Sequence, residues 1–132
     1  MSTLNVSSIQ ALSGTNTTPT IKDSAGTESG RFCKVFCRYN MSSNTLFNSF
    51  GVSSVTDNGT GVCTVNFTVA FASNTTYSAH VLGNGNVANG AHTYPSTYFG
   101  GDAAGSFKIG FFRNENSNDR ADQQRTWFAF FA

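Results

Sequence analysis

Residues 57–71 read DNGTGVCTVNFTVAF, a turn signal followed by the most regular alternating pattern in the chain. The pair Asn58-Gly59 suits the positive-φ positions of a tight hairpin turn. From residue 62 onward apolar and polar side chains alternate, and the apolar face holds Cys63, Val65, Phe67, Val69 and Phe71. A period of two residues is that of a β-strand with one buried face. The stretch therefore predicts a hairpin whose second strand packs one face in a core.

Segments on both sides of this hairpin repeat the pattern. Strands are predicted over residues 31–39, 45–55, 62–71, 77–82, 94–99, 106–113 and 125–131. Phe47 and Phe50 are out of phase within their segment, which predicts a β-bulge near Gly51. Pro95 predicts an edge strand or a loop, and the glycines of Gly100–Gly105 predict a turn. Seven short strands at this spacing predict an all-β fold, an antiparallel β-sandwich or jelly-roll-like domain.

The composition supports this class and excludes two kinds of partner. Ser, Thr, Asn and Gly make up 59 of the 132 residues, and 13 Phe accompany them, which is typical of β-rich chains with many turns. The net charge is only +1, whereas a nucleic-acid-binding surface normally carries a basic excess. No apolar window approaches the roughly 20 residues of a membrane span. We therefore expect no nucleic-acid partner and no membrane insertion.

Residues 1–30 differ from the rest, because no aromatic residue precedes Phe32 and the stretch cannot build a core alone. Two interpretations are open: a lead-in without fixed structure, or an extended arm that becomes ordered against a partner chain. Regularly placed aliphatic residues favour the arm, since a pure linker does not need them. These are Leu4, Val6, Ile9 and Leu12. The sequence thus divides into an N-terminal attachment arm, residues 1–30, and a β-sandwich domain, residues 31–132.

The last predicted strand is apolar on both faces. Trp127 and Phe131 share one face, and Phe128 and Phe130 share the other. Such a strand is unusual in a monomer and is expected if one face packs against a second copy of the chain. The four residues are therefore candidate oligomer contacts.

The cysteines are three in number, Cys33, Cys37 and Cys63. On one strand the first two would lie roughly 13 Å apart, and a disulfide needs Cα atoms within about 7 Å. Buried free thiols are favoured, while a bridge from Cys63 to one of the others stays open. Residues 1–16 show no signal-peptide pattern, so free thiols indicate production in a reducing cytoplasm.

Recognisable catalytic motifs are lacking. The sequence has no zinc-protease, nucleophile-elbow or phosphate-loop motif, and His80 and His92 do not complete a tetrahedral metal set with the cysteines. Glu115, Asp119 and Asp122 cluster in one hydrophilic loop, where a solvated surface is the ordinary interpretation. We therefore expect no enzymatic activity, no metal site and no cofactor.

Three stretches carry a resemblance to a known family. The first 14 residues contain LNV (4–6), IQ (9–10) and SG (13–14); residues 30–40 read GRFCKVFCRYN; residues 49–68 read SFGVSSVTDNGTGVCTVNFT. Over about residues 1–78 the chain resembles small virion structural proteins of marine tailed phages, notably cyanophages, which are often described as tail-fibre-like. Family members carry a nearly identical hairpin segment, whereas the second half of this chain departs from theirs.

The resemblance implies a virion component made in the host bacterial cytoplasm, most simply a tail fibre or tail-tip module. It implies attachment to other virion proteins through residues 1–30 and a homotrimer, the usual symmetry of such fibres. The alternative is a purely structural role, as a tail adaptor or a capsid decoration protein. The resemblance assigns no functional residues.

A fibre module that recognises its host would most simply bind a surface glycan. Protein sites for sugars commonly combine an aromatic platform with amide and carboxylate groups, and the loops over residues 83–99 and 114–124 offer both. The candidate ligand-binding residues are Asn86, Asn89, Tyr94, Tyr98, Asn116 and Asp119.

The alternation of residues 62–71 generates a test of the fold. The substitution Phe67→Asp places a charge on the predicted core face, and we expect the domain not to fold, because a buried unpaired carboxylate costs several kcal/mol (about 3–5). Circular dichroism and solubility of the variant measure this. A soluble variant with a native spectrum would contradict the strand assignment.

Overall fold

The structure, a computed structural model, describes residues 20–22, 24–84, 94–112 and 120–132. Within these residues all regular structure is β. The strands are β1 (Thr20–Lys22), β2 (Glu28–Arg31), β3 (Cys33–Asn40), β4 (Thr45–Phe50), β5 (Val52–Asp57), β6 (Val62–Phe67), β7 (Ser78–Asn84), β8 (Tyr94–Ala103), β9 (Ser106–Phe112) and β10 (Arg125–Phe131). Among the described residues there is no helix long and apolar enough to cross a membrane.

The strands form two four-stranded antiparallel sheets and a separate hairpin. The first sheet has the order β4-β3-β10-β7, and the second has the order β5-β6-β9-β8. The two sheets pack face to face, which confirms the predicted antiparallel β-sandwich. Strands β1 and β2 pair only with each other, and β2 runs to Arg31, across the predicted boundary at residue 30. The division into an arm and a domain stays a prediction.

The core lies between the two inner faces. The first sheet contributes alternate residues of β3 and β10, and the second contributes alternate residues of β6 and β9. Its fully or nearly fully buried members include Val35, Cys37, Tyr39, Cys63, Val65, Phe67, Phe107, Ile109, Phe111, Phe128 and Phe130. This is the face that the period of two predicted for residues 63–67 and 107–111.

One detail of the predicted strand over residues 62–71 is wrong. The strand β6 ends at Phe67, and Val69 is 45% exposed instead of lying on the core face. The chain leaves the ladder there, because its partner strand β9 begins only at Ser106. The Phe67 amide donates to the Gly105 carbonyl in the β8–β9 turn. Phe71 nevertheless returns to the core, where its amide donates to the Ala104 carbonyl.

The bulge predicted near Gly51 is present, because the register of β5 against β6 shifts between Val52 and Ser54. The same place is also a crossing between the sheets. Strand β4 pairs with β3 in the first sheet, and β5 pairs with β6 in the second. Gly51 joins them with a φ of 71°, and a Cβ at this position would lie 2.9 Å from the Lys34 carbonyl oxygen. The irregularity that shifts the phase of β4 is a register shift opposite Arg38 and Tyr39.

Strand β8 confirms the prediction of an edge strand at Pro95 and corrects its length. It runs to Ala103, so most of the predicted turn over residues 100–105 is strand, and the chain turns only at residues 104–105. The register of β8 against β9 shifts between Thr97 and Asp102, where Gly100 and Gly101 lie. Glycine inside a strand often marks such a bulge.

The crossing at Gly51 is testable by comparison with another glycine of positive φ. We expect Gly51→Ala to lower the free energy of unfolding by about 1–2 kcal/mol, because alanine disfavours the left-handed backbone. The collision of its Cβ with the Lys34 carbonyl oxygen lowers it further. Gly59→Ala is the control, because Gly59 has a φ of 98° and its added Cβ would have no neighbour within 4 Å. Urea unfolding of both variants measures the difference. Equal losses would contradict the close approach at Gly51.

Candidate functional site

The outer surface of the first sheet carries an unusual number of exposed apolar side chains. We call it the aromatic face; its members are Phe36, Arg38, Phe47, Asn48, Phe50, His80, Leu82, Trp127, Ala129 and Phe131. Trp127 is 39% exposed, Phe50 is 59% exposed and Leu82 is 69% exposed. Exposed apolar residues that are contiguous mark a binding surface more often than scattered ones do.

A groove of about 410 Å³ crosses this face. Its shape follows from strand register. Ala129 on β10 lies between Phe36 on β3 and His80 on β7. Trp127, two residues earlier and therefore on the same side of the strand, lies between Arg38 and Leu82. The small side chain of Ala129 forms the floor, and the larger neighbours form the walls.

Arg38 lines the groove with its charge held in place. Its guanidinium lies 4.8 Å from the centre of the Phe47 ring, a cation–π arrangement. Its Nε–H is buried and has no hydrogen-bond partner among the described residues. Asn48, the neighbour of Arg38 on β4, adds an amide to the same groove.

The charged residues of the first sheet's strands are all basic. The sequences of its four strands contain Lys34, Arg38 and Arg125 and no Asp or Glu. The described carboxylates lie elsewhere: Asp57 accepts from the Gly59 amide at 2.8 Å, and Asp122 accepts from the Gly61 amide at 2.6 Å. The groove therefore presents aromatic rings and a cation with no acid in its lining.

The four predicted oligomer contacts of the last strand lie on opposite sides of the first sheet. Phe128 and Phe130 are buried in the core, so packing within the chain itself explains why both are apolar. Trp127 and Phe131 lie on the aromatic face, where Phe131 packs edge-on against His80 at 5.4 Å. An oligomer contact through these last two stays a prediction.

Most of the other predicted site residues fall outside the described residues. This holds for the ligand candidates Asn86, Asn89, Asn116 and Asp119 and for the attachment candidates Leu4, Val6, Ile9 and Leu12. Tyr94 and Tyr98 are placed by their backbone on β8, at the edge of the second sheet. The structure therefore does not bring these two positions to the groove, which lies on the other sheet.

The groove itself escaped sequence analysis, although Trp127 was singled out. Its lining comes from β3, β4, β7 and β10, which are neighbours only because the last strand inserts between β3 and β7. The usable signal was Ala129, the one small residue in a run of aromatic ones. It becomes informative only when its cross-strand partners are known.

Among the described titratable groups, burial is the main cause of the raised pKa values of the cysteine thiols. All three cysteines are free, as the sequence favoured. Burial raises the pKa of the Cys37 and Cys63 thiols to about 12, so neither is a nucleophile near neutral pH. Among the described residues there is no group of three or more His, Cys, Asp or Glu that could hold a metal ion; His92 and Glu115 lie outside them.

Comparisons with known proteins give little. No family model matches the chain, and no curated protein matches it. A solved structure with detectable similarity is the phiAB6 tailspike in complex with three-repeated oligosaccharides of Acinetobacter baumannii surface polysaccharide. It is 20% identical with a TM-score of 0.46, over 97% of this chain and 30% of the tailspike chain. The chain thus spans under a third of that protein, and this similarity is too low to indicate a shared function.

The buried thiols generate a test in alkaline solution. The pKa of each rises from 9.0 to about 12 on folding, so the neutral thiol is favoured in the folded state. That stability is fully present below pH 9 and is lost as the pH rises towards 12. We expect the double variant Cys37→Ala/Cys63→Ala to lose stability less steeply than the wild type between pH 9 and 12.

Urea unfolding at several pH values measures this slope. The comparison of slopes is unaffected by the cavities that alanine leaves, because these act equally at every pH. Cys33→Ala is the control, since Cys33 is only partly buried. Identical slopes for the double variant and the wild type would contradict the burial of the two thiols.

Proposed function

We propose that this chain is a non-enzymatic virion component of a tailed phage, a tail fibre or tail-tip module of the marine type. Its support is the sequence resemblance over residues 49–68, the most specific part of the match. In the structure this segment comprises the crossing at Gly51 and the β5–β6 hairpin. These are the features that connect the two sheets, so the shared residues are those that specify the fold.

The hairpin itself explains why such a segment would be kept. The Asp57 carboxylate accepts from the Gly59 amide and from the Asn44 side chain, and these two bonds lower the pKa of Asp57. The side chain of Asn58 accepts from the Thr64 hydroxyl at 2.6 Å. The matching residues of this hairpin therefore build a turn and do not line the groove on the first sheet, which supports a common fold and leaves the ligand open.

Attachment and assembly complete the proposal. Residues 1–30, with Leu4, Val6, Ile9 and Leu12, dock on other virion proteins, and the module assembles as a homotrimer displayed on the particle. The protein is made in the host bacterial cytoplasm, which suits the three free thiols. Host contact is through a surface glycan. The alternative is a tail adaptor or capsid decoration protein without a receptor.

The attachment proposal is tested by a fourfold variant of the arm. Replacing Leu4, Val6, Ile9 and Leu12 by Ser removes the apolar side chains, and we expect loss of the protein from particles because docking loses its buried area. The matched control replaces Ser2, Thr3, Ser7 and Ser8 by Ala. Quantitative immunoblotting of purified particles is the measurement, and circular dichroism checks the fold. Equal incorporation of the two variants would contradict the arm.

The place on the particle is decided by gold-labelled antibody imaging of intact virions. Label at the tail periphery supports the fibre or tail-tip module. Label over the head supports the decoration protein instead. Particles without label would overturn the virion proposal altogether.

A further inference from the structure

We propose that the groove on the aromatic face is a binding site for an acidic saccharide, a sugar that carries a carboxylate or sulfate group. The sugar ring stacks on Trp127, and Arg38 binds the acidic group. The biological setting, recognition of a bacterial surface, rests on the proposed function, whereas the chemistry rests on the groove alone. Trp127 and Arg38 are not among the ligand-binding residues that the sequence suggested.

The platform is an indole ring with open space beside it. Trp127 lies on β10, an inner strand of the first sheet, and 39% of it is exposed. The space beside it exists because Ala129 is small and lies between Phe36 and His80. The electron-rich face of an aromatic ring attracts the polarised C–H groups of a sugar, and indole has the largest such face among side chains.

Arg38 defines the charge of the ligand. Stacking on Phe47 fixes the guanidinium, so little rotational freedom is lost when a ligand binds. The planar guanidinium binds carboxylate and sulfate oxygens with two parallel hydrogen bonds.

Two further polar groups flank this pair. The Asn48 side chain offers a donor and an acceptor next to Arg38, and the exposed His80 lies across Ala129 from Phe36. Sugar hydroxyls need such mixed partners, because each hydroxyl both donates and accepts. An apolar floor with a few convergent polar groups is the usual form of a small-molecule site.

A second copy of the chain is the competing occupant, and the charges disfavour a contact of this face with itself. The inference therefore requires the proposed trimer to form through another surface. If the same face of two copies met about a twofold axis, Arg38 and Arg125 of one copy would oppose the basic groups of the other. No carboxylate on the four strands could compensate them. Like charges brought together at an interface cost several kcal/mol (about 2–5). An anionic ligand instead neutralises this surface.

The measurement uses the single tryptophan of the chain as its reporter. Trp127 fluorescence is titrated with a galacturonic acid trimer, with a sulfated galactose trimer and with the neutral methyl ester of the first. We expect saturable quenching by at least one acidic trimer and at least tenfold weaker binding of the ester. The two acidic arms identify which acidic group the site prefers.

Two variants locate the ligand in the groove. Arg38→Gln keeps hydrogen-bond donors but removes the charge, and we expect at least tenfold weaker binding of the acidic trimer. Ala129→Leu fills the floor and should abolish binding. The matched control is Ala103→Leu, which adds the same bulk at an exposed position on β8 of the second sheet. Thermal unfolding confirms that each variant is folded. If Arg38→Gln does not fold, Arg38→Lys is measured in its place.

Three outcomes would overturn the inference: no saturable binding of either acidic trimer, equal binding of the ester, or unchanged binding by Ala129→Leu. A fourth concerns the molar mass measured by light scattering. If the wild type is an oligomer and the Trp127→Ala variant is a monomer, the face is covered by a second copy and the inference is overturned. Failure of the virion proposal is distinguishable, since particles without label would leave binding in the groove intact.

Discussion

The ring contact between Phe67 and Phe130 joins the two sheets. Their centroids are 4.9 Å apart, and Phe130 also meets Phe107 and Tyr77. Phe130 is completely buried, and burying an aromatic side chain of this size is worth about 1.5–3 kcal/mol. Because side chains alternate along β10, burial of Phe130 on the inner side leaves the outer side for Trp127.

Local alternation explains how much of the fold could be predicted. The face of Cys63, Val65 and Phe67 was readable because each choice of side depends only on the residues next to it. The irregularity near Gly51 was also predicted, but the crossing between the sheets at the same place was not. A bulge and a crossing between sheets disturb the phase of a strand in the same way, and only the pairing partners distinguish them.

The candidate site shows the opposite case. Trp127, Phe36 and His80 are far apart in sequence, and no short-range pattern places them together. Their meeting depends on insertion of the last strand between β3 and β7, a non-local choice made by the core. Apolar residues on both sides of β10 suggested an oligomer contact, yet two of the four residues, Phe128 and Phe130, lie in the core.

The bridge between Phe112 and Arg120 has a consequence for variation between related proteins. The Phe111 amide donates to the Gly61 carbonyl, and the Ala121 amide donates to the Phe111 carbonyl, so both ends of the intervening segment are clamped at one point. The entropic cost of closing such a segment rises only slowly with its length, by about 0.6 kcal/mol for each doubling of the number of residues. Insertions between residues 112 and 120 would therefore cost the sandwich little stability.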